Sequence, residues 1–435
     1  MRLLTQIYEW NIQFKTLSPL HIGDEDDHIL VDQYGKPFIP GTSLAGACRS
    51  YLEMTEYGYL IHNLFGEKAS YRPKEGLIFT DSYLQGDFDY DLRPSVRIDG
   101  ETRTAENKGF FERMFIAPGA LFKFNLTLYA SGENATEQRD AVEHLLHAIH
   151  HGIVRIGALQ SIGGGQVEIS SCQYRHYNCQ NLEDLHAYVN QSKVAEEYIF
   201  TDDFKPQATM QFIIKGETAT PLLIASSSMH DSSEADAIPM KTKDGKPLIP
   251  GSSLKGLLRH RVERITNALS LPQGSKYIKQ LFGQAPGKGK TRAGSLQFRD
   301  VVIKDPECIK YYRTSINPLT GSVRDGALLN EETVSGKLNI KITLSYKEKN
   351  DDLYVSAALL LFALRDLALQ ELSIGSRSSI GYGFIDVEKI EVQLEEDRAL
   401  LSIKDETIED PAHLLQSFNQ ALQKVGQSQE VKDGV

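Results

Sequence analysis

Two loops of this chain concentrate carboxylates. Residues 21–37 read HIGDEDDHILVDQYGKP, with Asp24, Glu25, Asp26 and Asp27 side by side, and residues 226–247 read SSSMHDSSEADAIPMKTKDGKP, with Asp231, Glu234 and Asp236. A carboxylate on an exposed loop can act as a general base or hold a metal-bound water. An acid-rich loop can equally be no more than a soluble one, and in the first loop any of the crowded acids could be the working group. His21, His28 and His230 lie in or beside these loops and could exchange protons near neutral pH. They do not form a matched set: at the offset of 210 that relates the two loops, His21 falls on Asp231. Chemistry built on a histidine is therefore disfavoured.

A second constellation is basic. Residues 245–299 hold eleven Lys and Arg against one acid, Glu263. Lys255, Arg259 and Arg261 fall on a predicted helix that opens at Ser252-Ser253, and cations next to helix N-terminal amides suit phosphate. A solvated helix face would mix its signs, and this one does not. The loop PGKGKTR at 286–292 lacks the G-x-x-x-x-G-K-[ST] spacing and a preceding strand, so a nucleotide triphosphatase is rejected. The matching window 35–89 has five basic residues, Arg49 among them, against seven acids, and Ala45 replaces Lys255. Two late glycine loops, Gly163-Gly164-Gly165 and Gly375 to Gly381-Tyr382-Gly383, could admit a phosphate chain close to the backbone or simply turn a helix into a strand. Arg377 is the best single contact candidate there.

These residues are carried by a duplicated framework. GKPFIPGTSLAG at 35–46 matches GKPLIPGSSLKG at 245–256, Leu64-Phe65-Gly66 matches Leu281-Phe282-Gly283, and the Phe79–Asp81 and Phe298–Asp300 blocks follow. Ile156-Gly157 with Ile162–Gly165 then matches Ile374-Gly375 with Ile380–Gly383, at an offset that drifts from 210 to 218. Ordered blocks with a slowly drifting offset mean a duplicated domain. Each half reads β-α-β, β-α-β: an opening strand, Pro-Gly and a helix N-capped by Ser/Thr, an alternating strand, a second helix and a final strand. That order predicts an α+β chain of two tandem ferredoxin-like domains with loop insertions. The expected bounds are 1–179, an acidic linker or short bridging helix at 180–207, 208–395, and an acidic tail at 396–435 with a helical stretch that could dock on the fold. Leu414, Leu415, Phe418 and Leu422 have helical spacing in that tail.

The G-x-P-x-I-P-G-[ST]-S-L-x-G block, the L-F-G block and the glycine loop, each present twice, resemble the RAMP superfamily of CRISPR systems. Within it the pattern is similar to the Cas7-type backbone subunits of type III effector complexes, and the tandem arrangement to the double Cas7 subunit of type III-D. The resemblance implies an RRM-like fold that binds guide RNA (crRNA) and complementary single-stranded target RNA beside Cas10-like, Cas5-like, Cas11-like and further Cas7 subunits. It implies a loop aspartate that supports Mg2+- or Mn2+-dependent cleavage, the ribose 2′-OH attacking the adjacent phosphate to leave a cyclic phosphate. Asp236 occupies the family position, and the 210 offset places Asp26 opposite it, although no proline follows Asp26. Residues 93–107, with Arg93, Arg97 and Arg103, resemble the family's protruding hairpin, echoed by Arg313–Thr320. Alternatives within the family are an inactive guide-binding subunit and a guide-processing endoribonuclease.

The 435 residues are 41% hydrophobic and 24% charged, with a formal net charge of −11. No window offers a membrane span, and Cys48, Cys172, Cys179 and Cys308 show no zinc or disulfide spacing, which suits the cytoplasm. The acidity argues against nucleic acid until it is located. The linker and tail carry it, and attraction to phosphate acts over about a Debye length of 8–10 Å.

Overall fold

The computed structural model describes residues 4–24, 27–66, 76–100, 102, 104–205, 207–226, 235–284 and 293–433. Leu4–Thr16 is a strand because Tyr8, Trp10, Ile12 and Phe14 alternate with polar residues, and it buries that face. It pairs antiparallel with Leu121–Ser131 and with Val167–Asn178, Trp10 standing opposite Leu126 and Tyr174. The short strands Gly76–Phe79 and Ser82–Gln85 flank Leu121–Ser131 on its far side. Taken as one element, they give the order fourth–first–third–second, with Gly41–Leu52 and Ala135–His150 as the connecting helices.

The second half repeats this. Thr209–Thr218 is central between Val323–Ser345 and Ile385–Leu394, Phe212 opposite Ile342 and Val392, and Leu296–Phe298 lies outside Val323–Ser345. Gly251–Ala268 and Asp351–Ala368 connect the strands. Both central strands shift register at the same place, Gln13/Phe14 and Lys215/Gly216, where a bulge bends the strand. The chain is thus α+β, with two tandem ferredoxin-like sheets. Each has its own core, centred on Trp10, Phe14 and Phe122 in one and on Phe212, Phe298 and Leu359 in the other. A fully buried side chain of this size contributes about 1.5–3 kcal/mol, so these cores dominate stability.

The two long hairpins expected from sequence are present. Tyr90–Ile98 pairs with Ala105–Ile116, and Lys304–Ile316 pairs with the first part of Val323–Ser345. By contacts, Met1–Arg93, Arg113–Gln160 and Gly164–Ala208 form one unit, and Pro94–Glu112, Ser161–Gly163 and Thr209–Val435 the other.

One expectation changes, and two segments gain detail. The helices do not start on Ser/Thr caps: Pro40 and Pro250 hold the cap positions without side-chain bonds. The first amides are instead met from a distance, Gly41 N–H donating to Asp81 Oδ1 at 2.8 Å and Gly251 N–H to Asp300 Oδ1 at 2.9 Å. The helix begins on the glycine, one residue ahead of the hydroxyls, and a Cβ at Gly41 would lie 2.6 Å from Phe79 O. The 180–207 segment holds the helix Leu182–Val189 and then lays Tyr198, Phe200 and Phe204 on the first core, Phe200 stacking on His150 at 4.4 Å and Phe204 on His151 at 5.2 Å. In the 396–435 segment Asp397–Ser402 pairs with Ile385–Leu394, and the helical spacing of the tail becomes helix Leu414–Asp433, which buries Leu414, Phe418 and Ala421 in the second core.

Candidate functional site

Asp236 is exposed on the loop that reaches the strand Val323–Ser345. Its N–H donates to Asn330 O at 2.8 Å, and Asn330 N–H donates back to Asp236 Oδ2 at 2.8 Å. Glu332 N–H donates to Ala237 O at 2.9 Å, so the loop is laced to the strand on both sides of the carboxylate. One carboxylate oxygen is thereby fixed at the base of the long hairpin while the side chain stays in solvent.

Glu331 follows Asn330, and its side chain is 1% exposed. Arg377 Nε donates to Glu331 Oε1 at 2.7 Å, and Arg313 Nε lies 3.8 Å from Oε2. Arg313 also donates to the Tyr382 hydroxyl, with its guanidinium 4.8 Å from that ring's centroid. Arg377 takes a left-handed backbone, φ 65°, at the start of the turn Ser378–Ile380. The second glycine loop, the hairpin and the Asp236 loop therefore meet around Asn330-Glu331. Glu331 has no signal in the sequence, because the run Asn330–Thr333 carries no motif, whereas Arg313 opens the hairpin segment that the resemblance points to.

The first half is wired differently. Glu25 and Asp26 lie outside the described residues, as does Arg103. After the loops the halves match at 210 and before them at 202: Leu30 N–H donates to Ile22 O and Met240 N–H to Ile224 O, each at 2.8 Å, so the offset changes within the loops that carry Asp26 and Asp236. Ahead of the loop the match is different. Ala158 N–H donates to His21 O and Ser376 N–H to Leu223 O, so His21 stands opposite Leu223 rather than Asp231, and the second loop is longer. His21 is buried, with Nδ1 2.9 Å from Met114 O and Nε2 3.0 Å from Asp27 Oδ1. Arg113 Nε donates to Asp27 Oδ2 at 3.1 Å. Desolvation alone would raise the Asp27 pKa, but the hydrogen bonds from Arg113 and His21 bring it below the usual carboxylate value. His28 is exposed beside Asp24.

The basic helix divides. Lys255 Nζ donates to Ser161 Oγ at 2.9 Å, and burial followed by the Arg259 charge lowers its pKa. Arg259 pairs with Glu263 at 3.0 Å, as Arg49 does with Glu53. Arg261 Nε donates to Asp366 Oδ2 at 2.5 Å and a terminal amine to Glu371, joining two helices; burial opposes its charge, but these acids raise its pKa. Ser252 and Ser253 lie half-buried in the first turn, where Asp300 already meets the Gly251 amide. Arg97 is largely exposed on its hairpin, 3.5 Å from Glu106. Of the glycines, a Cβ at Gly163 would lie 3.2 Å from Asp300 Oδ1 and one at Gly164 3.1 Å from Ala158 O, whereas Gly381 borders open space. Packing accounts for the first two, and only Gly381 offers approach to a ligand.

Comparison with known proteins gives one family. The profile described as RAMP superfamily matches residues 13–168 and again 215–386. A similar solved chain occurs in "Cryo-EM structure of the Type III-B Cmr-beta bound to cognate target RNA", 19% identical, covering 39% of this chain and 61% of that one with a TM-score of 0.31. At that score the likeness carries no argument. No curated protein matches.

Proposed function

From a chain that belongs to the RAMP superfamily through two tandem domains, we propose a Cas7-type backbone subunit of a type III CRISPR complex that holds guide RNA and cuts the complementary target. The observation that supports cutting most is Asp236, an exposed carboxylate fixed through one oxygen at the base of a long hairpin. With Oδ2 held by Asn330 N–H, Oδ1 is left to take the proton of a ribose 2′-hydroxyl. The 2′-oxygen then bonds to the adjacent phosphorus, the bond to the 5′-oxygen breaks, and that oxygen takes a proton from water. The products are a 2′,3′-cyclic phosphate and a 5′-hydroxyl. The tandem arrangement supports the double subunit of type III-D.

Among the described residues no group of three or more His, Cys, Asp or Glu could hold a metal, and Asp26, Asp231 and Glu234 of the two loops lie outside the described residues. A bound Mg2+ or Mn2+ would supply charge to the phosphate; the steps above are what Asp236 and the RNA themselves do. Crowding of Asp27 by His21 and Arg113 favours a second reading for the first domain, guide binding without cutting. No helix among the described residues is long and apolar enough to cross a membrane.

The test is the assembled complex with Asp26→Ala, Asp236→Ala and the double variant, comparing product ladders with and without chelator. Loss of one cut with Asp236→Ala supports the nuclease. Loss of a second with Asp26→Ala assigns the first domain a cut, and its persistence assigns binding. Unchanged ladders in all three overturn the assignment.

A further inference from the structure

The second sheet carries two neighbouring cations that the first sheet lacks. Phe298 pairs with Ile342, so Arg299 and Lys341, one residue beyond on each strand, stand across from each other. In the first domain Phe79 pairs with Leu126, which makes Thr80 and Asn125 the equivalents. There the position is neutral and self-satisfied. Asn125 N–H donates to Thr80 Oγ1 at 2.9 Å, Thr80 N–H to Asn125 O at 3.0 Å, and Asn11 Nδ2 to Asn125 Oδ1 at 2.7 Å. In the second domain Ile213 replaces Asn11 opposite Lys341 and offers no side-chain acceptor.

Arg299 Nε is buried without a hydrogen-bond partner, and among the described residues no acid pairs with Arg299 or Lys341. Burial, and then the charge of Arg299, push the Lys341 amine down to about 8, and burial lowers Arg299 as well. Two like charges side by side and partly desolvated are unfavourable until an anion joins them. A structural pair would have a carboxylate, as Arg261 has Asp366 in the same domain. A solvated pair would not be half-buried.

We propose that Arg299 and Lys341 form a phosphate-binding pair on the second sheet, taking a backbone phosphate of single-stranded RNA. This rests on the RNA-binding reading above and gives the two domains different grips on the strand. Within the basic run Arg259, Arg261 and Lys276 already hold acids of this chain, which Arg299 and Lys341 do not among the described residues, and on the RNA-binding reading the anion that reaches them is a backbone phosphate.

The test uses the full chain and a fluorescein-labelled single-stranded RNA, with affinity followed against salt by anisotropy. Lys341→Gln and Arg299→Gln should weaken binding whatever the RNA sequence and reduce the salt slope by about 0.7 per lost contact. Without RNA, melting temperatures should hold or rise, because the repulsion is gone. The charge-conserving variants Lys341→Arg and Arg299→Lys should keep the wild-type slope, which separates loss of charge from misfolding. If Lys255→Gln weakens binding while both glutamine variants keep the wild-type slope, the pair is overturned and the RNA reading stands. If the wild-type chain gives no salt-dependent binding, both fall. Lower melting with RNA binding intact overturns the pair in favour of a structural role.

Discussion

Arg377 Nε donates to Glu331 Oε1 at 2.7 Å, and Glu331 lies beneath the glycine loop with 1% of its side chain exposed. A buried carboxylate thus sets the position of a loop cation, and the residue before it holds Asp236. Glu331→Gln keeps the shape and removes the charge that Arg377 and Arg313 share. It should cost about 1–3 kcal/mol in urea unfolding, with most of the loss recovered by Glu331→Asp.

Arg261 reads as a phosphate contact in the sequence, but the fold uses it to neutralise Asp366, which is 2% exposed. Arg261→Ala should therefore destabilise by roughly 2–3 kcal/mol, softened by Arg365, which also donates to Asp366 at 2.7 Å. The salt slope for RNA should stay at its wild-type value. A reduced slope would return Arg261 to the RNA surface.

Asp236→Asn and Asp236→Ala separate fixing the loop from chemistry. Asparagine keeps an oxygen for the Asn330 N–H, so its stability should stay close to wild type, while alanine should lose about 1 kcal/mol. Both should abolish one cut in the product ladder. Cleavage by Asp236→Asn would remove the general-base role.

The aromatic strap of the first domain should respond to acid. Burial, followed by the charge of Glu56, which opposes it, and then that of His147, leaves the His144 pKa at about 4 against an ordinary 6.5. Burial, then the charges of His151 and His150, lower His147, with Asp203 opposing. A depressed imidazole binds fewer protons folded than unfolded, so its stabilisation is complete above pH 6.5 and is lost as pH falls towards 4. Melting followed by circular dichroism should fall across that window. His144→Gln should flatten the fall, and an unchanged slope would assign the acid sensitivity to other groups.

What the sequence discloses is what repeats. The matched blocks, the alternation in Leu4–Thr16 and Thr209–Thr218, and the Pro-Gly turns are local patterns, and they lead directly to two sheets of one topology. The partners of charged residues are not local. Arg261 and Asp366 are 105 residues apart and Arg377 and Glu331 are 46 apart, so the pairs that remove a cation from the surface do not show in a charge count. The Asp81 and Asp300 caps did have a signal, since both end a repeated block, but a cap is expected next to its helix and these arrive from forty and forty-nine residues away. In 396–435 the composition shows the acids, while the helical spacing of Leu414 and Phe418 is what marks the face that enters the core.

That closing segment has a colloidal consequence. The edge of the strand Ile385–Leu394 is covered by Asp397–Ser402, which is covered in turn by the three-residue strand Thr407–Glu409. Asp405, Glu406, Glu409 and Asp410 surround that last strand. An uncovered strand edge would recruit another copy through its free amides and carbonyls, whereas a short strand flanked by like charges repels one. The sheet therefore terminates itself in a short charged edge, which disfavours edge-to-edge pairing with another copy along that side.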